Sequence, residues 1–152
     1  MKTKFYLFLT LLTTVFISCS SDDDNSDNSN QEQFTLEYYF EGSYSSTGQL
    51  TFSSYTNNNL VDEVDYEDFP QDEFTESTEL TVNNSQMISA RITLNDQNMS
   101  FRGDATIRII NSEGEVVAFV EDEYMNTDSP QIICVLTLEY NTETGESTWV
   151  LN

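Results

Sequence analysis

The chain contains no histidine. That removes the commonest general base and metal ligand from any chemistry it performs alone. A Ser–His–Asp or Cys–His nucleophile system cannot be assembled within it, and neither can a zinc site of the usual His/Cys kind. Positive charge is nearly as scarce. Five Lys and Arg stand against 27 Asp and Glu, for a formal charge of −22. Both lysines lie at the extreme N-terminus, so beyond Lys4 the cations are Arg91, Arg102 and Arg108. A field of that sign repels nucleic acid and anionic lipid, and neither is an expected partner. A helical apolar stripe is missing too, since no ten-residue stretch carries one.

What is present begins with an oily leader. Lys2 and Lys4 precede the apolar run FYLFLTLLTTVFI, Phe5 to Ile17. At thirteen residues it is short of the ~20 needed to span a bilayer and matches the core of a secretory signal. The run ends in FISC, Phe16 to Cys19. This resembles the lipobox of bacterial lipoproteins, although Phe16 stands where that pattern prefers Leu. The resemblance implies cleavage before Cys19 and acylation of that cysteine. Two or three acyl chains, at about 0.8 kcal/mol per buried methylene, would hold the protein on a membrane. The next residues, SSDDD, resemble the export signal of surface-exposed lipoproteins of the Bacteroidota. That resemblance assigns Asp22, Asp23 and Asp24 to export and places the protein on the outer membrane, facing the exterior. It covers only the first 24 residues.

There are two cysteines. With Cys19 acylated, Cys134 has no partner, and in QIICVLTLEY it reads as a small core hydrophobe. The rival, a Cys19–Cys134 disulfide, would tie the domain to a floppy tail and is set aside. Residues 20–33, SSDDDNSDNSNQEQ, include no apolar side chain. Such a segment cannot offset its ordering entropy. It reads as a tether with a reach of about 46 Å at full extension.

Residues 34–152 suffice for one domain. Their periodicity is that of strands. FTLEYYFE puts Phe34, Leu36, Tyr38 and Phe40 on one face. Similar alternation marks seven more segments: Gly48–Tyr55, Glu73–Val82, Met87–Asn95, Ser100–Ile110, Glu115–Glu121, Gln131–Tyr140 and Ser147–Asn152. EVVAFVE and QIICVLTLEY are so apolar that both faces are expected to be covered. NNSQ, NDQN, NSEG and NTETG supply turn residues between strand pairs. The expectation is an all-β, antiparallel β-sandwich of about eight strands, with a meander β-barrel as the alternative.

Several residues qualify as site candidates. LVDEVDYEDFPQDEF, Leu60 to Phe74, concentrates acids and reads first as a charged connector. A flexible acidic loop also supplies oxygen ligands for calcium. Asp62, Asp65 and Asp68, joined by Asp122 from EDEYMNTD, form the candidate set, although EF-hand spacing is absent. Sugars stack on exposed aromatics, and alternation or loop position offers Tyr39, Tyr44, Tyr55 and Tyr66. Trp149 is another such candidate, although a lone Trp in a terminal strand is more often core. Carboxylate pairs at glycosidase spacing arise by chance among so many acids and carry no weight. RGD at Arg102–Asp104 interrupts a strand, where Gly103 reads as a bulge or bend and Arg102 can pair with Asp104.

Taken together, these features describe an anchored, non-catalytic binding or accessory module with a glycan or protein ligand. A calcium-dependent adhesive protein is the alternative, and a carboxylate hydrolase is disfavoured.

Overall fold

The structure, a computed structural model, describes residues 31–43, 48–67, 73–83, 85–96, 102–127 and 133–152. The expected signal, Cys19 and Asp22, Asp23 and Asp24 lie outside them. Nine strands follow in chain order: β1 (Gln31–Ser43), β2 (Gln49–Thr56), β3 (Asn59–Glu67), β4 (Glu73–Asn83), β5 (Met87–Asn95), β6 (Arg102–Asn111), β7 (Val116–Asn126), β8 (Ile133–Asn141) and β9 (Ser147–Leu151). They form two antiparallel sheets. One has the order β4-β1-β6-β7, the other β3-β2-β5-β8-β9. Both sheets are open at their edges, so the sandwich holds and the barrel does not.

The alternation places the core where the sequence indicates. Leu36, Phe40, Ile107 and Ile109 from the first sheet face Leu50, Ile88, Ile92 and Leu136 from the second, all fully buried. Cys134 is buried among them as a free thiol. Burial pushes the thiol's pKa up, which makes it unreactive. Tyr38 is buried as well and stacks on Phe52 at 5.4 Å.

Four expectations need correction. The acidic stretch from Asn59 to Glu67 is a strand, not a connector. It follows a two-residue turn in which Asn57 and Asn58 both adopt positive φ, 48° and 65°. That is the geometry of the tight hairpins whose twist suits β-strands, and asparagine tolerates it. β3 pairs on one side only, with β2, so its charges stay in water. Second, β1 starts at Gln31, before the alternation begins. Third, NNSQ and NDQN do not close hairpins, because β4, β5 and β6 alternate between the two sheets. NSEG and NTETG do close hairpins. Their glycines, Gly114 at φ 82° and Gly145 at φ 70°, donate back to the carbonyls of Asn111 and Asn141. Fourth, β7 is covered on one face only: Val116 and Phe119 are exposed because β7 is an edge strand with an uncovered outer side.

Gly103 has a different role from the expected bulge. It faces Gly42 on β1 without a shift in register. A Cβ on Gly103 would strike the Glu41 carbonyl and the Phe40 ring, and one on Gly42 would stand 2.7 Å from the Gly103 Cα. The glycine pair lets β1 and β6 meet beneath that ring. Arg102 and Asp104 are presented on a strand, and no ion pair joins them among the described residues.

Candidate functional site

The outer side of the four-stranded sheet is built by the same alternation that builds the core, one residue out of phase. Its registers define cross-strand rows running β4, β1, β6, β7. One row is Ser77, Glu37, Arg108, Phe119. The next is Thr75, Tyr39, Thr106 and then β7, where two residues oppose Thr106. This irregularity is a β-bulge: Ala105 pairs with Glu123 and Ile107 with Val120, so Glu121 and Asp122 share one place. Asp122 takes φ 53° and its N–H donates to Thr106 Oγ1 at 3.2 Å. Aspartate is among the few side chains that accept this conformation. A bulge raises the local twist and bends the strand. Here it lies at the rim of a groove of about 750 Å³ lined by these two rows, with Phe119 just beyond its lining.

Tyr39 forms the centre of the groove floor. Its hydroxyl donates to Glu41 Oε2 at 2.8 Å. Glu41 lies two residues along on the same face, about 6.8 Å away between Cα atoms. The bond holds the Tyr39 side chain toward Glu41 on the outer side of the sheet, where its ring is half-buried. The hydrogen bond to Glu41, aided by nearby negative charge, pushes the hydroxyl up to about 12. The hydroxyl is therefore neutral at any physiological pH.

Arg108 is fixed beside it. Nε at 3.1 Å and Nη2 at 2.7 Å both donate to Glu121 Oε1. This pairing leaves Nη1 and the second carboxylate oxygen available to a ligand. The two side chains are 43% and 45% exposed, so the pair adds little to stability. It sets a donor on the groove floor beside an acceptor at its margin. Phe119, 58% exposed, and Tyr124, 51% exposed, flank the bulge on β7. Arrangements of this kind suit a polyhydroxylated ligand: apolar ring faces take its C–H surfaces, and fixed polar groups take its hydroxyls.

The other candidates are placed differently. Tyr55 lies on the outer side of the five-stranded sheet beneath Arg91, whose guanidinium carbon stands 4.4 Å from the ring centroid. Arg91 Nε and the neighbouring Ser89 Oγ are buried there without a partner. Tyr66 is a packing residue. Its ring meets Phe74 at 5.0 Å and Phe52 at 5.8 Å, and its hydroxyl donates to Glu76 across the gap between β3 and β4. Burial and that carboxylate push it up to about 12. Tyr44 lies outside the described residues. Trp149 is 50% exposed on edge strand β9, not core.

The calcium candidates are not brought together. Asp65 accepts from Thr51 Oγ1 at 2.6 Å, and Asp62 accepts from Thr78 Oγ1 at 2.7 Å. Both sit on β3, beside β4. Asp122 is on β7, at the opposite edge of the other sheet. Asp68 lies outside the described residues. Among the described residues no group of three or more Asp, Glu or Cys is arranged to hold an ion.

Alternation alone offers Tyr39 as a candidate, but the sequence does not single out Thr106, Arg108, Phe119 or Glu121. Their signal is the outward phase of strands otherwise read for their inward phase. Comparison with known proteins finds no match to this chain among protein families, curated proteins or solved structures.

Proposed function

We propose that this protein is a lipid-anchored outer-membrane module, facing the cell exterior, that binds glycan on the outer side of its four-stranded sheet and catalyses no reaction. The observation that carries the reading is Tyr39, a half-buried ring lining the groove whose hydroxyl is held by Glu41. An aromatic ring fixed in that pose gives a pyranose a stacking surface at small entropic cost. Thr75, Ser77, Thr106 and the Arg108–Glu121 pair surround it with hydroxyl, donor and acceptor groups. The leader, the lipobox-like FISC and the acidic SSDDD support the placement. The stretch 20–30 before β1, with a reach of about 36 Å at full extension, would carry the groove clear of the membrane.

The test is retention of the soluble domain, residues 31–152, on an array of immobilised oligosaccharides. Tyr39→Ala removes the stacking surface without entering the core and is expected to lower retention at least tenfold. Wild-type retention by that variant, or no retention of the parent on any glycan, overturns the reading.

A further inference from the structure

The reading of the groove as a glycan site leaves open which glycan it takes, and the arrangement of rings and charges narrows this. We infer that the ligand is an uncharged oligosaccharide laid across the strands, with one sugar on Tyr39 and another on Phe119; this rests on the glycan reading itself.

The direction follows from the rows. The groove is lined from Thr75 and Ser77 on β4, over Tyr39 and Glu37 on β1 and Thr106 and Arg108 on β6, to Asp122 on β7. Its long axis therefore crosses the strands. Phe119 is the register partner of Arg108 and closes the second row at β7. From Tyr39 it lies two strands across and two residues along. With strands about 4.8 Å apart and a rise of about 3.4 Å per residue, their Cα atoms are separated by ~12 Å, and Tyr39, directed toward Glu41, points away from the Phe119 row. One sugar ring cannot touch both. A linked chain can, passing over Thr106 and the Arg108–Glu121 pair between them.

The charge follows from the side chains. Glu37 and Asp122 line the groove. Glu41 and Asp104 continue the next row, paired across β1 and β6. The one cation among them, Arg108, is already engaged by Glu121. No lysine stands anywhere in the domain. A uronate or sulfate entering here meets Glu37, Asp122, Glu41 and Asp104 against Arg108, whose charge Glu121 offsets, and Arg102 at the far end of β6, so the net field opposes it, most strongly at low salt. Sugar hydroxyls meet acceptors and suffer no such penalty.

Isothermal titration and array binding on residues 31–152 test both parts. The probes are neutral hexasaccharides of glucose and xylose, their disaccharides, and hexagalacturonate at low and high salt. The expected result is binding of at least one neutral hexasaccharide and hexagalacturonate at least tenfold weaker at low salt, with the gap narrowing as salt rises. Phe119→Ala is expected to weaken the hexasaccharide about tenfold and leave the disaccharide unchanged. Phe119→Tyr keeps the ring and is expected to retain binding. Phe119 is exposed, so circular dichroism of these variants should match the parent. Equal or tighter binding of hexagalacturonate overturns the charge assignment, and an unaffected Phe119→Ala overturns the second stacking point. Those failures leave Tyr39-dependent glycan binding standing. Loss of all glycan binding, or capture of a basic peptide in place of any glycan, removes both this inference and the reading beneath it.

Discussion

Tyr38 and Ser53 belong to different sheets and are joined by one hydrogen bond, the tyrosine hydroxyl donating to the Ser53 carbonyl at 3.0 Å in the core. The phenolic proton being spent, Ser54 Oγ must donate to the same oxygen at 2.7 Å. The pair is a polar clasp between the layers. Tyr38→Phe keeps the stack on Phe52 but strands a buried carbonyl and a buried hydroxyl. The expected loss is about 1–3 kcal/mol, read as a lower urea midpoint at unchanged slope. An unshifted midpoint would show that the clasp contributes nothing.

Gly103→Ala tests the close approach of β1 and β6. The added methyl meets the Glu41 carbonyl and the Phe40 ring, and backbone must shift to admit it. The expected cost is about 1–3 kcal/mol. Asp104→Asn, next along the strand and exposed, serves as the control and is expected to be nearly neutral. Equal melting temperatures for the glycine variant and the parent would refute the packing account.

Alkaline stability follows from the tyrosines. Tyr39 and Tyr66 are each pushed up to about 12, and Tyr38 is raised further by burial. The fold keeps these hydroxyls neutral while the unfolded chain ionises them near its ordinary value of about 10. Their contribution is thus complete below about pH 10 and is lost as pH rises toward and through 12. Absorbance titration near 295 nm of residues 31–152 should show tyrosinate from these three delayed until the chain unfolds. A single early step for all seven tyrosines of residues 31–152 would contradict these environments.

The anchor is testable at two points. Cys19→Ser is expected to release the protein from membranes or leave its leader uncut, and unchanged membrane retention would refute acylation. Replacing Asp22, Asp23 and Asp24 with alanine is expected to reduce protease access on intact cells. Equal access would remove the acidic run from any role in export.

Legibility in the sequence tracked burial. Phe34, Leu36, Tyr38 and Phe40 announce β1 because a covered face demands strict alternation. β3 carries the same signal in Val64 and Tyr66, whose partners Phe52 and Leu50 are core residues. It was hidden because an edge strand tolerates charge at every other position. Asn57–Asn58 was the readable clue, a two-residue turn with both dihedrals positive. Sheet assignment was not legible: nothing in NNSQ or NDQN distinguishes a turn within a sheet from a passage between sheets. The groove was hidden for a related reason. Arg108 and Glu121 are thirteen residues apart, and only the bulge at Asp122 sets their rows. Trp149 failed as a core candidate because β9 pairs on one side only, where alternation does not imply cover.

The free edge of β3 has a further consequence. An unpaired strand is a template for another chain, a second copy included. β3 carries Asp62, Glu63, Asp65 and Glu67 along that edge. Two such borders brought side by side would crowd the carboxylates of Asp62 to Glu67 together, which like charges resist. The comb of acids thus works as a spacer between neighbours: the molecules can crowd without zipping into a shared ribbon.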